Sequence, residues 1–231
     1  MINTNEEIAL HAPIKNPRIS VNKLAEYIEA NANRRKVIVQ DCKLPKSFKV
    51  ARYTEARKAL VLFLKTRDHS VLERTITEIT AKVPSSDFWK DDYANSIECL
   101  KTFLSFDIEQ FNGLEITEHD ENALVNINGL DISVNPELLI KHTHKGKDKA
   151  GAIKLGVLKA QMGKNQQETV AFMVKNYLQT LQLRDLDIEP SLCFSIDTFA
   201  KKLVSCPKAE KARMKLIGAA CEEIMLRWPT A

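Results

Sequence analysis

Glycine is scarce, seven in 231 residues, and neither G-x-x-x-x-G-K-[ST] nor G-x-G-x-x-G occurs. Folds that cradle a nucleotide phosphate on a glycine-rich loop therefore have no footing here. Aromatic residues make up only 6%, so the cores must rest on Leu, Ile, Val and Ala. The five cysteines (Cys42, Cys99, Cys193, Cys206, Cys221) are odd in number, scattered and free of C-x-x-C spacing. A disulfide framework or a zinc ribbon needs closely spaced pairs, so these read as reduced, buried thiols. Long apolar runs are missing as well. The longest, Ala59 to Leu64, is bracketed by Lys58 and Lys65 and falls far short of the ~20 residues that span a bilayer. Met1 to Asn16 has no apolar stretch behind a basic start, so no signal peptide is expected. A soluble, cytoplasmic protein without a membrane partner is the expectation.

Charge is plentiful and unevenly placed. From Lys15 to Arg67 there are fourteen Lys or Arg against four acids, a formal +10; from Asp87 to Glu137 there are twelve acids against two lysines, a formal −10. From Leu138 to Lys164 the sign returns, seven lysines facing Asp148 alone. Segregation of this kind steers a polyanion, which makes nucleic acid, DNA first, the expected partner. The alternative is that basic and acidic segments face each other within the fold or across a homo-oligomer. A protein partner is compatible with either.

The periodicity divides the chain. Residues 1–18, with Pro13 and Pro17, read as a tail. Residues 19–86 read as a basic helical domain, a small N-terminal bundle. Ser20 caps a first helix, Arg34 to Asp41 forms a second, Thr54 to Lys65 a third, and Ser70 opens a fourth that Pro84 ends. Arg34, Arg35 and Lys36 fall at a helix start, where the macrodipole disfavours cations. An external anion would explain that placement; a solvated face would too. Ser85-Ser86-Asp87 looks like a seam, and residues 87–231 read as an α/β domain. A helix runs to about Phe106, and Asn128-Gly129 marks a tight hairpin. The return strand is expected to run from Leu130 through Ile140. A second turn at Lys145 to Lys149 leads to a third strand, Ala152 to Leu158. A helix over Glu168 to Leu181, a buried strand at Leu192 to Ile196 and a helix opened by Pro207 complete the order.

Pro136-Glu137 on one strand and Ala152-Ile153-Lys154 on the next are one hairpin apart. Alternate strand positions face the same way, so residues 152 and 154 would reach a common target. This part resembles the PD-(D/E)XK nuclease superfamily, whose core runs helix, three strands, helix, strand, with Pro-Asp on the second strand and acid-x-Lys on the third. The resemblance implies a restriction-endonuclease-like α-β-β-β-α-β core with a terminal helix, Mg²⁺ as cofactor and phosphodiester hydrolysis. Ala152 departs from the pattern, since alanine cannot ligate a metal. In one subgroup a glutamate on the following helix replaces that acid, with thirteen residues between it and the lysine; here Glu168 stands there. By carry-over, Glu137 and Glu168 are metal ligands, Glu98 on the preceding helix a further one, and Lys154 the catalytic lysine. Lys145, Lys147 and Lys149, with Arg34, Arg35 and Lys36, would hold nucleic acid. The residues also have plain readings: Glu137 on a solvated face, Lys154 as an edge lysine lying along apolar surface, Glu168 as an acid favoured at a helix start. The expected activity is thus a Mg²⁺-dependent DNA nuclease, with a non-catalytic module that binds DNA or a protein partner as the alternative.

Overall fold

The computed structural model describes residues 13–45, 52–181 and 186–231. Residues 1–12, most of the expected tail, lie outside them. Residues 13–18 are docked: the Ile14 N–H donates to Lys43 O at 2.9 Å, and Ile14 O accepts Trp228 Nε1 at 3.3 Å. A strand β1 (Arg18–Ser20) leads into α1 (Val21–Glu29), where Ser20 accepts the Lys23 N–H, and Asn31 likewise caps α2 (Ala32–Lys43). Then come α3 (Thr54–Thr66), α4 (Ser70–Thr80) and α5 (Asp87–Phe103). Four short strands follow: β2 (Glu115–Glu118), β3 (Leu124–Ile127), β4 (Leu130–Ser133) and β5 (Leu138–His144). The remainder is β6 (Lys147–Gly156), α6 (Lys164–Thr180), β7 (Asp187–Asp197), β8 (Lys202–Ser205) and α7 (Glu210–Arg227). The chain is mixed α/β. No helix among the described residues is long and apolar enough to cross a membrane.

Asn128 (φ 52°) and Gly129 (φ 85°) make the β3–β4 turn, both residues left-handed as a two-residue hairpin of this twist requires. The run expected as one strand from Leu130 to Ile140 is broken. Asn135 sits at φ 39° and Pro136 has no N–H to give a ladder, so the chain leaves one sheet and enters another. Thus β4 joins a three-stranded sheet in the order β1-β4-β3, and β5 joins a five-stranded sheet, β2-β5-β6-β7-β8. In the latter β6 and β7 run parallel, connected through α6, and the other pairings are antiparallel.

The period of two along β6 sorts its residues between two cores. Ala152 packs with α6, α1, α7 and the small sheet, while Ile153 and Leu155 pack with α3, α4 and α5. α6 is buried nearly all round (Val170, Phe172, Met173, Val174, Tyr177 and Leu178 among them) because sheet and helices enclose it. The four helices expected as one bundle are therefore divided between opposite faces of the large sheet. Neither core stops at the Ser85-Ser86 seam.

Candidate functional site

Pro136 ends one sheet, and Glu137 stands one residue before β5, where β6 runs on past the start of its neighbour. There the Glu137 carboxylate accepts the Leu155 N–H at 2.8 Å in place of a strand carbonyl. Its other oxygen accepts Lys154 Nζ at 3.0 Å and is paired with Arg57 of α3. Lys154 also donates to Asn135 O at 2.6 Å, and both side chains are 12% exposed. Glu137 and Lys154, expected to meet, do meet.

Glu168 and Glu98 do not join them. α6 begins at Lys164, so Glu168 lies one turn inside the helix, where it pairs with Arg213 of α7 and lies 3.8 Å from Lys164 Nζ. Glu98 pairs with Lys159 at 3.0 Å. Mg²⁺ demands near-octahedral oxygen ligands at ~2.0–2.1 Å, usually one or two carboxylates turned toward it. Here each of the three acids is turned toward a different cation, and among the described residues no three metal-ligating side chains cluster. These residues do not fit the ion.

The cations have other positions than a helix start would suggest. Arg35 donates to Tyr27 O and Ile28 O at the carboxyl end of α1, stacks 5.2 Å from the Tyr27 ring and pairs with Glu223 at 2.9 Å. Its unfavourable place on α2 is offset by the negative end of α1. Lys36 is exposed. Lys145, Lys147 and Lys149 sit on the β5–β6 hairpin. Lys147 is seven residues from Lys154 along β6, roughly 23 Å at ~3.3 Å per residue, and Lys149 pairs with Asp187. Part of the basic segment is matched inside the fold, through Arg52–Asp91, Arg57–Glu137 and Lys65–Glu118.

Cations, some of them so paired, gather in one cleft of about 1020 Å³ at the carboxyl end of β6. Its walls are α1 with the start of α2, the start of α3, and the connection from β6 into α6. Crevices outside the carboxyl ends of parallel strands are the usual ligand sites of α/β sheets. Six cations line it (Lys23, Arg34, Arg52, Arg57, Lys58, Lys159) against one acid, Glu26. Glu26 is shared by Lys23 and Arg34, as Glu137 is by Arg57 and Lys154, so each network keeps a surplus positive charge. Burial pushes the Glu26 carboxyl up, but hydrogen bonds and charge from Lys23 and Arg34 together hold it below the usual carboxylate range. Arg57 belongs both to the cleft lining and to the Glu137–Lys154 pair.

Two residues not expected from the sequence shape this cleft. Asp197, 1% exposed at the end of β7, accepts the N–H groups of Met162 (2.6 Å), Phe199 (3.1 Å) and Ala200 (2.9 Å), pinning the β6–α6 connection to the sheet. An acid ending an apolar strand before Thr-Phe-Ala was the available signal. Asp92, 5% exposed on α5, accepts the Tyr53 N–H at 2.9 Å, holding the left-handed residue (φ 60°) that starts α3. Burial raises its carboxyl pKa, offset in part by that N–H and by Arg52. The folded state thus favours the protonated form, and this group's contribution falls as pH rises from the ordinary carboxylate range through the raised value. Asp92→Asn keeps an oxygen for Tyr53 and removes the buried charge, so the variant should melt higher than the parent at neutral pH. The difference should vanish toward acid pH. Thermal melts across that range check it, and a lower neutral Tm would show that the charge is needed by Arg52.

No protein-family model matches the chain, and no curated protein matches it in sequence.

Proposed function

We propose that this protein is a nucleic-acid-binding module on a restriction-endonuclease-like core, which grips phosphates in the basic cleft and does not hydrolyse them. The observation that carries this reading is Arg57. It lines the six-cation cleft and at the same time engages the carboxylate that would otherwise serve a metal. The order α5, β2, β5, β6, α6, β7 supports the core assignment, with the β3–β4 hairpin inserted before β5. Lys154 beside Glu137 supports it further.

Binding to DNA should weaken steeply with salt, each phosphate contact adding ~0.9 to the log–log slope. Arg34→Ala should lower that slope by about one contact. Lys145→Ala with Lys147→Ala, at the far end of the sheet, should leave it unchanged. Anisotropy titrations with labelled DNA at several salt concentrations read both. A slope insensitive to Arg34 and sensitive to the hairpin would move the interface to the hairpin. Incubation of the same DNA with Mg²⁺ or Mn²⁺ tests the non-catalytic half: the DNA should stay intact, and cleavage lost in Lys154→Ala would establish the nuclease instead.

A further inference from the structure

We infer that the cleft takes single-stranded nucleic acid, a few nucleotides long, with a base against Leu158 and the adjoining phosphates against Lys58 and Arg34. The inference rests on reading the cleft as a nucleic-acid site and goes on to name the form of the ligand. Duplex DNA keeps its base faces stacked inside and offers phosphates, sugars and groove edges. Its major groove, ~12 Å wide, admits a protruding helix or ribbon. Duplex-reading surfaces also run to roughly 1,000–2,500 Å². This site is the reverse in shape: an open concavity of about 1020 Å³ lined by three segments. It is just above the ~300–1,000 Å³ typical of clefts that enclose small ligands, which suits a few unstacked nucleotides.

The lining chemistry agrees. Leu158, on the connection after β6, is 44% exposed although it belongs to the cleft wall, and buried Val157 adjoins it. A row of phosphates gives an exposed leucine no favourable contact, whereas the flat face of an unpaired base does. The amide side chains of Gln161 and Asn22 line the same cleft. Amide groups of this kind offer both donors and acceptors to the edge of an unpaired base. Lys58 is exposed and has no acidic partner among the described residues, so it can meet a phosphate without breaking an ion pair. A positively charged groove that follows the backbone is common to single-strand binders; here the surface within it is aliphatic, Leu158, where such proteins generally use aromatic rings.

The test is anisotropy of the full chain with labelled oligothymidylate and mixed-sequence single strands, and with a blunt duplex of equal length, between about 50 and 200 mM salt. Single strands should bind at least about tenfold more tightly than the duplex, the size of gap that covering one leucine side chain provides. Lys58→Glu should weaken single-strand binding and reduce the salt slope by about one contact. Leu158→Ala should weaken it by about tenfold with the slope unchanged, because an apolar contact releases no counterion. Circular dichroism melts of each variant establish that it is folded. Equal or tighter binding of the duplex, or single-strand affinity indifferent to Leu158→Ala, would overturn this inference while leaving nucleic-acid binding in place. Failure of both ligands to bind at low salt would overturn the functional reading beneath it.

Discussion

Glu137→Ala is expected to destabilise the protein by about 3 kcal/mol, the loss typical when one partner of a desolvated ion pair is removed. That corresponds to a fall in Tm of roughly 6–12 °C for a chain of this size. Three donors lose their acceptor at once: Arg57, Lys154 Nζ and the Leu155 N–H. Lys154 retains only Asn135 O. Glu137→Gln should cost less, because its amide oxygen still serves one donor. Glu137→Met with Lys154→Met should recover more than half the loss of Glu137→Ala, since replacing both members of a buried pair by apolar groups avoids stranding a charge. Urea melts of the three variants measure this. A double variant as unstable as Glu137→Ala would mean that Arg57, left behind, dominates the cost.

The second large effect belongs to Gly151→Ala. Gly151 lies where the β6–β7 register shifts between Ala150 and Ala152. A methyl group there would overlap both the Leu192 carbonyl oxygen and its Cβ. Backbone cannot yield as a side-chain tip can, so the two central parallel strands must part. A loss of about 3 kcal/mol is expected, at the upper end of the usual cost of overpacking. By contrast, Gly163→Ala meets nothing within 4 Å and should cost no more than the ~0.5–1 kcal/mol of placing alanine at the N-cap of α6. Equal melting of Gly151→Ala and the parent would show that the strands slide at this point.

How much of this was legible depended on how local each cause is. Asn128-Gly129 declared its turn because two left-handed residues are demanded within the turn itself. The helices carried their own stripes, and the first its cap at Ser20, whereas the second begins two residues earlier than expected because Asn31 caps it. The break at Asn135-Pro136 was also written in the chain, yet the alternation Leu130, Ile132, Val134 runs up to it and continues beyond, so the two strands read as one. β1 and β8, three and four residues long, are too short to show a period. At the site, Glu137 and Lys154 could be placed together because one hairpin joins them. Arg57 could not, since its partner lies 80 positions away. Glu168 was taken from Lys154 by Arg213, 45 residues downstream on a helix whose packing no local pattern reveals. The basic segment pointed correctly to concentrated charge, but only the fold shows that Arg35 is spent on α1 while Arg34, its neighbour, faces the cleft.

The parallel pairing of β1 with β4 sets a schedule for synthesis. Arg18 aligns with Asp131, 113 residues later. At the ~5–20 residues per second of translation, the first strand waits on the order of 10 s for its partner. During that interval α1 has neither α6 nor the small sheet to cover Leu24, Ala25 and Tyr27. Residues 18–29 are thus made well before the segments that secure them. A nascent chain halted before residue 130 should be cut by protease within residues 13–43, and one released at full length should not.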